Sequence, residues 1–561
     1  MNFKKEIAEL IHKKAKLTKQ EIENLIETPP NPELGDYSFP CFQLASKLKK
    51  NPNQIAQTLA EIKPKSPVKE IKALGPYLNF FISKPELAKQ VLENINENYG
   101  KSKQGKNKKI LIDFSSPNIG KPMHIGHIRS TIIGDSLIRT FDYLGYNPIG
   151  INYLGDVGLH IGKLIVAWEL WIDKEALKKD PVKELLRIYV KFNENEKAEF
   201  EEGEEDYEGN EWTEKARQEI KKLELGDENA HKIWEEIRNA SGKGFDKVYK
   251  MLKVDFHETT GQSKFSETGR EIILENAKKG IVHADPKTGA INIDLGKLGK
   301  KYILKSGGVA SYVTQDIGAA VHRFEKHNPE KIIYITDFRQ ELHFKQLKEI
   351  LKIFGYSFSD KIKHLGFGTV KFGKEIIASR TGKIILLEDV LKKTIEKAQE
   401  NIDKKQTKGD GEKVGISAIK YTILRNEPIK DVQFSWEEAL NFEGETGPYL
   451  QYSYARASSI LRKSKKKPKL DMPENLSKSE IALIKKIANF PDIIERTSKT
   501  LNPSIMANYS YTLAKTFNEF YHATRVLDST NEEFLLKIIE AFRTTLKNSL
   551  HLLGIEVMEE M

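Results

Sequence analysis

The chain has 561 residues, enough for about three to five domains of ordinary size. Charged residues make up 30 % and hydrophobic residues 39 %, a balance that argues against wholesale disorder. The formal net charge of +10 is compatible with a polyanionic partner. The single cysteine, Cys41, excludes an intramolecular disulfide framework and a cysteine-cluster zinc site. Because no apolar run approaches the ~20 residues of a membrane helix, and no apolar signal core follows Met1, we expect a cytoplasmic protein without a membrane partner.

Residues 1–100 are predicted to form a small α+β domain. Ile7, Leu10 and Ile11 recur at helical intervals, and residues 42–48 repeat that pattern. Residues 77–82 are typical of a strand that follows a Gly-Pro breaker. Residues 101–109 contain five lysines and no apolar residue, so we predict an inter-domain linker there.

Residues 110–403 alternate between short apolar runs, polar turns and helical stretches. This alternation predicts a doubly wound, mainly parallel, Rossmann-like sheet in a multidomain α/β protein. The predicted strands are residues 110–114, 148–154, 331–335 and 363–370, and a long helix is predicted to start near Met123. The stretch from about residue 173 to residue 257 interrupts this pattern and is predicted to be a helical insertion. Its acidic run, residues 194–214, is predicted to be a solvated face.

Residues 404–561 are predicted to form an all-helical bundle. Strand signals end near residue 404, and apolar residues then recur every three or four positions in 449–460, 481–494 and 534–553.

The segment Ser115–His127 is the most informative for chemistry. His124 and His127 are three residues apart, which predicts that both imidazoles lie on one face at the start of a helix. Free backbone N–H groups and the positive end of the helix dipole favour a phosphate at such a position. Gly126 leaves room for a flat ring, and Pro122 favours helix entry. A zinc site is disfavoured, because the spacing is not His-Glu-x-x-His and no third ligand is suggested.

These residues carry a resemblance to a known family. His124-Ile-Gly-His127 resembles the nucleotide-binding signature of class I aminoacyl-tRNA synthetases, and residues 116–130 resemble its form in arginyl-tRNA synthetases. The resemblance continues in the family's order through most of the chain, at residues 152–156, 311–320, 339–344, 442–452 and 546–555.

An arginine pocket requires a carboxylate, because a guanidinium is planar and permanently charged. Tyr312 and Asp316 are four residues apart and would share a helical face, so Asp316 is the predicted guanidinium partner with Tyr312 beside it. The resemblance implies the same roles. It adds a set of contacts to the amino acid: Ser116, Pro117, Asn118, His127 and Gln340.

For ATP, the resemblance implies contacts from His124, Gly126 and His127 and from a second element, Gly368, Val370, Ser379 and Arg380. Lys121, His124, His127 and Arg380 are the predicted catalytic groups, since the two cations would stabilise charge on the pyrophosphate. The second element departs from the family pattern. Ile377 and Ala378 replace Met-Ser, and Thr381 replaces a lysine.

A further departure lies near the predicted arginine pocket. The family usually carries Gly-Glu-Ser where this chain has Gly261-Gln262-Ser263. Gln262 is uncharged, so a second charge-assisted contact with arginine would be lost. Either Asp316 is sufficient, or the affinity for arginine is reduced.

The helical domain offers candidates for tRNA binding. Basic residues cluster at 462–469, and Tyr449, Tyr452, Tyr454 and Arg456 occupy one predicted helix; the aromatic rings could stack on splayed bases. Arg525 belongs to a segment similar to the family's anticodon-domain motif. The alternative interpretation of these tyrosines is a buried helical seam. The N-terminal domain resembles the appended domain that grips the tRNA elbow.

The resemblance implies arginyl-tRNA synthetase activity with tRNA(Arg), L-arginine and ATP as partners. ATP is a substrate used with Mg²⁺, tRNA binds before adenylate formation, and no protein-bound zinc or organic cofactor is expected. A monomer is the expected state. Two alternatives stay open: a small-molecule nucleotidylyltransferase, which would not need the helical domain, and a non-catalytic RNA-binding paralogue, which would explain Gln262 and the altered second element.

Overall fold

The computed structural model describes residues 3–27, 29, 31–198, 210–372 and 386–561. The chain forms two compact units. The first comprises Met1–Tyr99, Ser453–Pro491 and Thr512–Asn548, and the second comprises Gly100–Tyr452, Asp492–Tyr511 and Ser549–Met561. The predicted boundary near residue 404 therefore falls inside the second unit. Within the described part of the chain, no helix is long and apolar enough to cross a membrane.

The N-terminal residues form a three-stranded antiparallel sheet with helices around it. Its elements are α1 (Phe3–Ala15), α2 (Lys19–Leu25), β1 (Tyr37–Pro40), α3 (Ala45–Leu48), α4 (Pro52–Ala60), β2 (Val68–Leu74), β3 (Tyr77–Ile82) and α5 (Lys84–Glu93). The strand order is β1-β3-β2. The predicted α+β character and the strand at 77–82 are confirmed. The helix α1 buries Ile7 and Ile11 on one face, as the apolar spacing requires.

The second unit contains ten strands and twelve helices among its described residues up to Ala439. The strands are β4 (Lys109–Asp113), β5 (Asn147–Leu154), β6 (Glu258–Gly261), β7 (His283–Ala284), β8 (Ile291–Asp294), β9 (Lys300–Leu304), β10 (Lys331–Asp337), β11 (Ile362–Phe367), β12 (Val370–Phe372) and β13 (Val432–Phe434). The helices are α6 (His127–Tyr143), α7 (Leu159–Trp171), α8 (Lys174–Lys179), α9 (Pro181–Ala198), α10 (Glu211–Glu224), α11 (Glu228–Leu252), α12 (Ser266–Lys278), α13 (Tyr312–His327), α14 (Glu341–Ile353), α15 (Leu387–Lys405), α16 (Gly411–Leu424) and α17 (Trp436–Ala439).

The central sheet has five parallel strands in the order β11-β10-β4-β5-β6. The predicted doubly wound, Rossmann-like sheet is confirmed, and all four predicted strand segments belong to strands of the structure. The first strand of the sheet, β4, lies at its centre and is buried along most of its length, which explains its nearly continuous apolar sequence. The chain continues to one side of β4 with β5 and to the other with β10, so the strand order reverses between β4 and β10.

The predicted insertion at 173–257 is helical, as expected, and α8–α11 lie between β5 and β6 in the chain. Its acidic run is not entirely a solvated face, which corrects that part of the prediction. Glu196 is buried, where it accepts hydrogen bonds from the Lys163 ammonium at 2.5 Å and from the Thr213 hydroxyl at 2.8 Å. A count of acidic residues does not reveal such partners.

Three features of the second unit differ from the sequence-based expectations. The antiparallel sheet β7-β8-β9 was not predicted, and neither was β13, which pairs in parallel with β12 and contradicts the expected end of strands near residue 404. Both consist of strands of two to five residues, too short for a clear alternation. The predicted linker is an ordered turn: the N–H groups of Gly105 and Asn107 donate to the carbonyls of Leu144 and Gly145, both at 2.9 Å.

The C-terminal residues form five helices: α18 (Gly447–Lys463), α19 (Lys478–Ala488), α20 (Phe490–Thr500), α21 (Ser504–Ala523) and α22 (Glu532–Leu552). The helical character predicted for 449–460, 481–494 and 534–553 is confirmed, with a break between α19 and α20. In the first unit, the Tyr99 hydroxyl donates to the carbonyl of Ile487 at 3.0 Å, so the N-terminal and C-terminal parts of this unit are in direct contact.

Candidate active site

The predicted site residues gather at one edge of the central sheet. Residues 114–127 follow the carboxyl end of β4, and residues 338–340 follow the carboxyl end of β10. Ligands of open parallel sheets bind outside the carboxyl ends of the strands, at the point where the strand order reverses. The topology therefore places both predicted segments where a substrate would bind.

The loop after β4 has an unusual backbone that hydrogen bonds hold in place. Ser115 and Ser116 have φ values of 67° and 48°, in a region that non-glycine residues rarely adopt. The Ser115 N–H donates to the Ser130 hydroxyl at 2.9 Å, and the Ser116 N–H donates to the Asn152 side chain at 3.2 Å. The Ser116 hydroxyl donates to the Asp113 carboxylate at 2.8 Å. The loop is fixed before any substrate arrives.

Pro117 and Asn118 continue this loop alongside the end of β5. The carbonyl of Pro117 accepts a hydrogen bond from the N–H of Gly155 at 3.1 Å, and Asn118 forms an isolated parallel bridge with Gly155. Ser116, Pro117 and Asn118, all predicted to contact the amino acid, thus lie together between the carboxyl ends of β4 and β5.

The two histidines of the first signature are neighbours, but not in the way the spacing predicts. The helix α6 begins at His127, not near Met123, and His124 lies in the turn before it, where it forms an isolated bridge with Leu386. The expectation of two imidazoles on one helical face is therefore wrong. The turn nevertheless brings the ring centroids to 4.1 Å from each other.

Backbone donors fix the protonation of both rings. The Nδ1 of His124 accepts from the Gly126 N–H and the Nδ1 of His127 accepts from the His124 N–H, both at 3.1 Å. Burial lowers the pKa of His124, and it lowers the pKa of His127 to about 3. Both imidazoles are therefore neutral near pH 7, and each carries its proton on Nε2, which is left as a donor.

The backbone N–H groups at the start of α6 have partners within the turn. The N–H groups of Gly126, His127 and Ile128 bind the His124 ring, the His124 carbonyl and the Ile125 carbonyl, respectively. The free backbone N–H groups that were expected to bind a phosphate are therefore engaged, and the imidazole Nε2–H groups are the donors at this position. The space beside Gly126 is occupied by the His124 ring, since a Cβ at Gly126 would lie 2.8 Å from the His124 Cε1.

Lys121 lies close to the histidines in sequence, and its ammonium is directed at the insertion. The Nζ atom is 5.1 Å from the centroid of the Tyr189 ring of α9. Lys121 also contributes to the lowered pKa of His124, after burial, so its charge is felt at the histidine pair. It is half-buried and within electrostatic reach of the first signature.

Tyr312 and Asp316 of α13, which are predicted to bind the substrate arginine, contact a third residue, His343 of α14. Asp316 is only 2 % exposed, and its Oδ2 accepts a hydrogen bond from the Nε2 of His343 at 2.6 Å. The ring of His343 lies 4.8 Å from that of Tyr312. The Tyr312 hydroxyl is 3.5 Å from Oε1 of Gln340. The structure thus brings Tyr312, Asp316 and Gln340 together, with His343 as the residue that connects them.

The sequence-based reasoning missed His343, and it also missed a buried ion pair beneath the loop after β4. Asp113 and Arg323 are both almost completely buried, with 2.8 Å between Oδ2 of Asp113 and Nη1 of Arg323. The guanidinium lies 4.7 Å from the Tyr153 ring and 5.4 Å from the Tyr334 ring. A carboxylate that ends a buried apolar strand was the available signal for Asp113. His343 lies inside the motif 339–344 and could have been noticed there.

Gln262, the departure from the family pattern, is 9 % exposed and directly follows β6. Its neighbour Ser263 donates to the Asp156 carboxylate through both its N–H, at 2.8 Å, and its hydroxyl, at 2.7 Å. The turn Gln262–Phe265 contacts α13, the helix of Tyr312 and Asp316. Gln262 thus lies at the same sheet edge as the predicted arginine pocket.

The second predicted ATP element is described only in part. Gly368 lies just before β12, and Val370 is its first residue. Both pair with the segment 427–432. Ser379 and Arg380, together with the departures at 377, 378 and 381, lie outside the described residues.

The candidate tRNA residues have different surroundings. On α18, Tyr449, Tyr452 and Arg456 fall on the accessible stripe of a helix whose other positions are largely buried, whereas Tyr454 is 2 % exposed and is not available for base stacking. The Arg456 guanidinium lies 5.3 Å from the Tyr521 ring, and Tyr449 lies 5.7 Å from Tyr511 between ring centroids. Arg525 is highly exposed. The basic run 462–469 is also mostly exposed.

No group of three or more His, Cys, Asp or Glu side chains that could hold a metal ion occurs among the described residues. The phosphate end of the site offers imidazole N–H donors and a lysine rather than carboxylates. This donor set suits an anionic group such as a phosphate.

Three family models match the chain and together cover most of it. Residues 88–436 match "tRNA synthetases class I (R), catalytic domain", residues 450–561 match "DALR anticodon binding domain", and residues 1–82 match "Arginyl tRNA synthetase N terminal domain". Among curated proteins, the arginine–tRNA ligase of Clostridium beijerinckii is 40 % identical, and that of Clostridium kluyveri is 41 % identical. Each alignment covers 100 % of both chains.

Solved structures give the same picture of the fold. Thermus thermophilus arginyl-tRNA synthetase matches with a TM-score of 0.82 at 24 % identity, over 96 % of both chains. The arginyl-tRNA synthetase from Plasmodium falciparum matches with a TM-score of 0.78 at 26 % identity, over 96 % of this chain and 94 % of that one.

Proposed function

Because the chain belongs to the arginyl-tRNA synthetase family of class I aminoacyl-tRNA synthetases, we propose that it joins L-arginine to the 3′ end of tRNA(Arg) at the expense of ATP. One observation supports this beyond the family match. A buried carboxylate, Asp316, and two neutral imidazoles, His124 and His127, occupy the same edge of a single parallel sheet. An anion suits the fixed cation of arginine, and neutral N–H donors suit the phosphates of ATP.

At the amino-acid end, Asp316 is the proposed partner of the guanidinium. Its Oδ2 is occupied by His343, which leaves Oδ1 to accept from the substrate. Tyr312 and Gln340 would border the same group. The fixed loop of Ser116, Pro117 and Asn118, together with His127, would contact the amino-acid end that reacts, because this loop ends at the first signature.

At the nucleotide end, a carboxylate oxygen of arginine attacks the α-phosphorus of ATP. An O–P bond forms, the bond from the α-phosphorus to the bridging oxygen breaks, and pyrophosphate leaves, giving arginyl-adenylate. His124, Gly126, His127, Gly368 and Val370 are the proposed ATP contacts. The Nε2–H groups of the two histidines and the Lys121 ammonium stabilise the moving negative charge, and no protein nucleophile is required. Mg²⁺ would enter with ATP as part of the substrate and would offset phosphate charge. Ser379 and Arg380 remain predictions.

In the second step, a hydroxyl of the terminal ribose of tRNA attacks the arginyl carbonyl carbon. An ester bond forms, the mixed-anhydride bond to the phosphate breaks, AMP leaves, and the hydroxyl proton is released. We propose the C-terminal helices from α18 onward as the anticodon-binding part, with Tyr449, Tyr452, Arg456 and Arg525 as contacts, and residues 1–100 as the part that binds the tRNA elbow. Residues 110–436 would be the catalytic part, in a monomeric, cytoplasmic enzyme.

ATP–pyrophosphate exchange tests the proposal. With purified protein, exchange should depend on L-arginine and on tRNA(Arg), since the family resemblance implies that tRNA binds before the adenylate forms. Exchange driven by a different acid substrate would instead support a nucleotidylyltransferase. RNA binding without any exchange would support a non-catalytic paralogue.

A further inference from the structure

Arg129 is a fully buried arginine that the proposed mechanism does not use. It lies on the first turn of α6, two residues after His127, with 0 % of its surface exposed. Its guanidinium donates hydrogen bonds to three backbone carbonyls: those of Pro428 at 2.9 Å, Glu427 at 3.2 Å and Lys430. Of the four backbone carbonyls from residue 427 to residue 430, the Arg129 guanidinium thus binds all except that of residue 429.

The segment 427–432 in turn holds the start of the second ATP element. The carbonyl of Pro428, which accepts from Arg129, also accepts from the Gly368 N–H at 2.9 Å. The Asp431 carboxylate accepts from the Thr369 N–H at 2.8 Å, and the N–H of Val432 donates to the Thr369 carbonyl at 2.9 Å.

The two backbones also approach so closely that a side chain would not fit between them. A Cβ at Gly368 would lie 2.7 Å from the carbonyl oxygen of Ile429. From Val370 the two segments continue as the paired strands β12 and β13. Gly368 and its neighbours can therefore move only if residues 427–432 move too.

We propose that Arg129 is a positioning residue that ties the two ATP-binding segments of this protein together. One guanidinium connects the turn of α6 that carries His127 to residues 427–432, and through them to Gly368 and Val370. These segments are more than two hundred residues apart in the chain. The inference rests on the proposed function for its consequence in catalysis, because Gly368 and Val370 are proposed ATP contacts, while the hydrogen bonds themselves do not depend on it.

The chemistry of this position calls for arginine. A guanidinium presents five donors in a rigid fork, whereas a lysine ammonium is a compact charge on a flexible stem. A lysine at position 129 would keep the charge, but it could not bind three carbonyls spread over four residues with the same geometry. The variant R129K therefore removes the tie with little change in charge or volume.

Steady-state ATP–pyrophosphate exchange in the presence of tRNA(Arg) tests the role of Arg129. For R129K we expect kcat to fall about 10- to 100-fold, since small displacements of positioning groups have effects of that size. The KM for ATP should rise, and the KM for arginine should stay within about 2-fold. The matched control is R139K, on the same helix, because the Arg139 guanidinium binds the Asp135 carboxylate and the Lys253 carbonyl rather than the 427–432 segment.

A second variant tests the proposed route. D431A removes the acceptor of the Thr369 N–H, so it weakens the same connection from the other side. In the double variant R129K/D431A, the losses in kcat should be less than multiplicative, because both changes act on one connection. Multiplicative losses, or a KM for arginine that rises in parallel with the KM for ATP, would overturn the proposal.

Hydrogen–deuterium exchange of peptides that span residues 366–372 gives a readout without catalysis. R129K should accelerate exchange of the Gly368 and Thr369 amides relative to wild type and R139K, at equal global unfolding temperature. An unchanged rate of hydrogen–deuterium exchange in these peptides would overturn the inference even if the enzyme is active. If the wild type shows no arginine-dependent activity, the proposed function fails. The hydrogen–deuterium measurement still decides the structural role of Arg129.

Discussion

The two ends of the candidate site handle charge in opposite ways. At the nucleotide end, His124 and His127 are neutral, and backbone N–H groups from a single turn fix both rings. At the amino-acid end, Asp316 is a buried carboxylate whose partner, His343, comes from a different helix.

The difference follows from the ligands that we propose. ATP brings its own negative charge and its own Mg²⁺, so the protein needs only well-oriented donors for it. Arginine brings a fixed cation that must leave water, so the protein needs a buried anion of its own. If this contrast is correct, substitutions at the two ends should affect different kinetic parameters.

The largest effect is expected for D316N. This substitution keeps the shape of the side chain but removes the negative charge, so a bound guanidinium would have no counter-ion. When a polar contact between a site and its substrate is missing, kcat/KM commonly falls by ~10⁴–10⁵. We expect a loss of that order in kcat/KM for arginine. Binding of ATP, measured by equilibrium dialysis, should persist.

The matched control for D316N is D360N, since Asp360 is an exposed aspartate that pairs with Lys348. Unfolding temperatures of both variants show whether the fold is retained. Near-normal arginine-dependent exchange in D316N would remove Asp316 from the pocket and end the contrast between the two sites.

A smaller loss is expected for H124N at the nucleotide end, because His124 is proposed to contact ATP and not the amino acid. Asparagine retains a polar side chain but cannot present a donor at the position of the imidazole Nε2. Removing one preorganised donor to a developing charge costs about 10²–10³ in kcat. We expect a loss of that size in pyrophosphate exchange, with the KM for arginine changed much less. H231N, at an exposed position of α11, serves as the control. An arginine-specific defect in H124N would show that the ends are not separate.

The contrast also explains which parts of the site could be predicted from sequence. The first signature of the nucleotide end is one contiguous segment after one strand, so its residues were identified directly from Ser115–His127, whereas Gly368 and Val370 came only from the family resemblance. Even there, the helix starts four residues later than predicted, and the turn before it is held by the His124 and His127 rings, which accept from the N–H groups of Gly126 and His124. Four of the five strands of the central sheet were predictable for a similar reason, because each contains an apolar run of strand length. The fifth, β6, has the sequence Glu-Thr-Thr-Gly, is only partly buried and was not predicted.

The amino-acid end could be predicted only in part. Tyr312 and Asp316 follow from helical spacing together with the family resemblance. The contacts of His343 with Asp316 and of Arg323 with Asp113 join elements that are far apart in sequence. The contact of Glu196 with Lys163 was not predicted for the same reason, because the two residues belong to different helices. The strands of the β7-β8-β9 sheet and β13 were missed because a strand of two to five residues is too short to show periodicity.

An intermediate effect at the amino-acid end is expected for H343A. The imidazole Nε2–H orients the Asp316 carboxylate, so its removal leaves Oδ2 of a buried carboxylate without its partner. Loss of such orienting contacts typically costs about 10- to 100-fold, and we expect that increase in the KM for arginine with little change in the KM for ATP. H283A, at an exposed position of β7, is the control. A KM for ATP that rose as much as that for arginine would mean that His343 acts on the fold and not on Asp316.

The smallest effect concerns the pH dependence of stability, and it tests the neutrality of the nucleotide end. Burial lowers the pKa of His127 to about 3 in the folded protein, whereas an unfolded histidine titrates near pH 6.5. Between these values the unfolded chain binds a proton that the folded protein does not, so the free energy of unfolding falls as the pH decreases below 6.5. His127 contributes at most about 1.4 kcal/mol per pH unit to this slope. In H127N the slope between pH 6 and pH 4.5, measured by urea unfolding, should be reduced by up to that amount. An unchanged slope would mean that His127 is protonated when folded, in which case the phosphates would meet a cation and the two ends would no longer differ in kind.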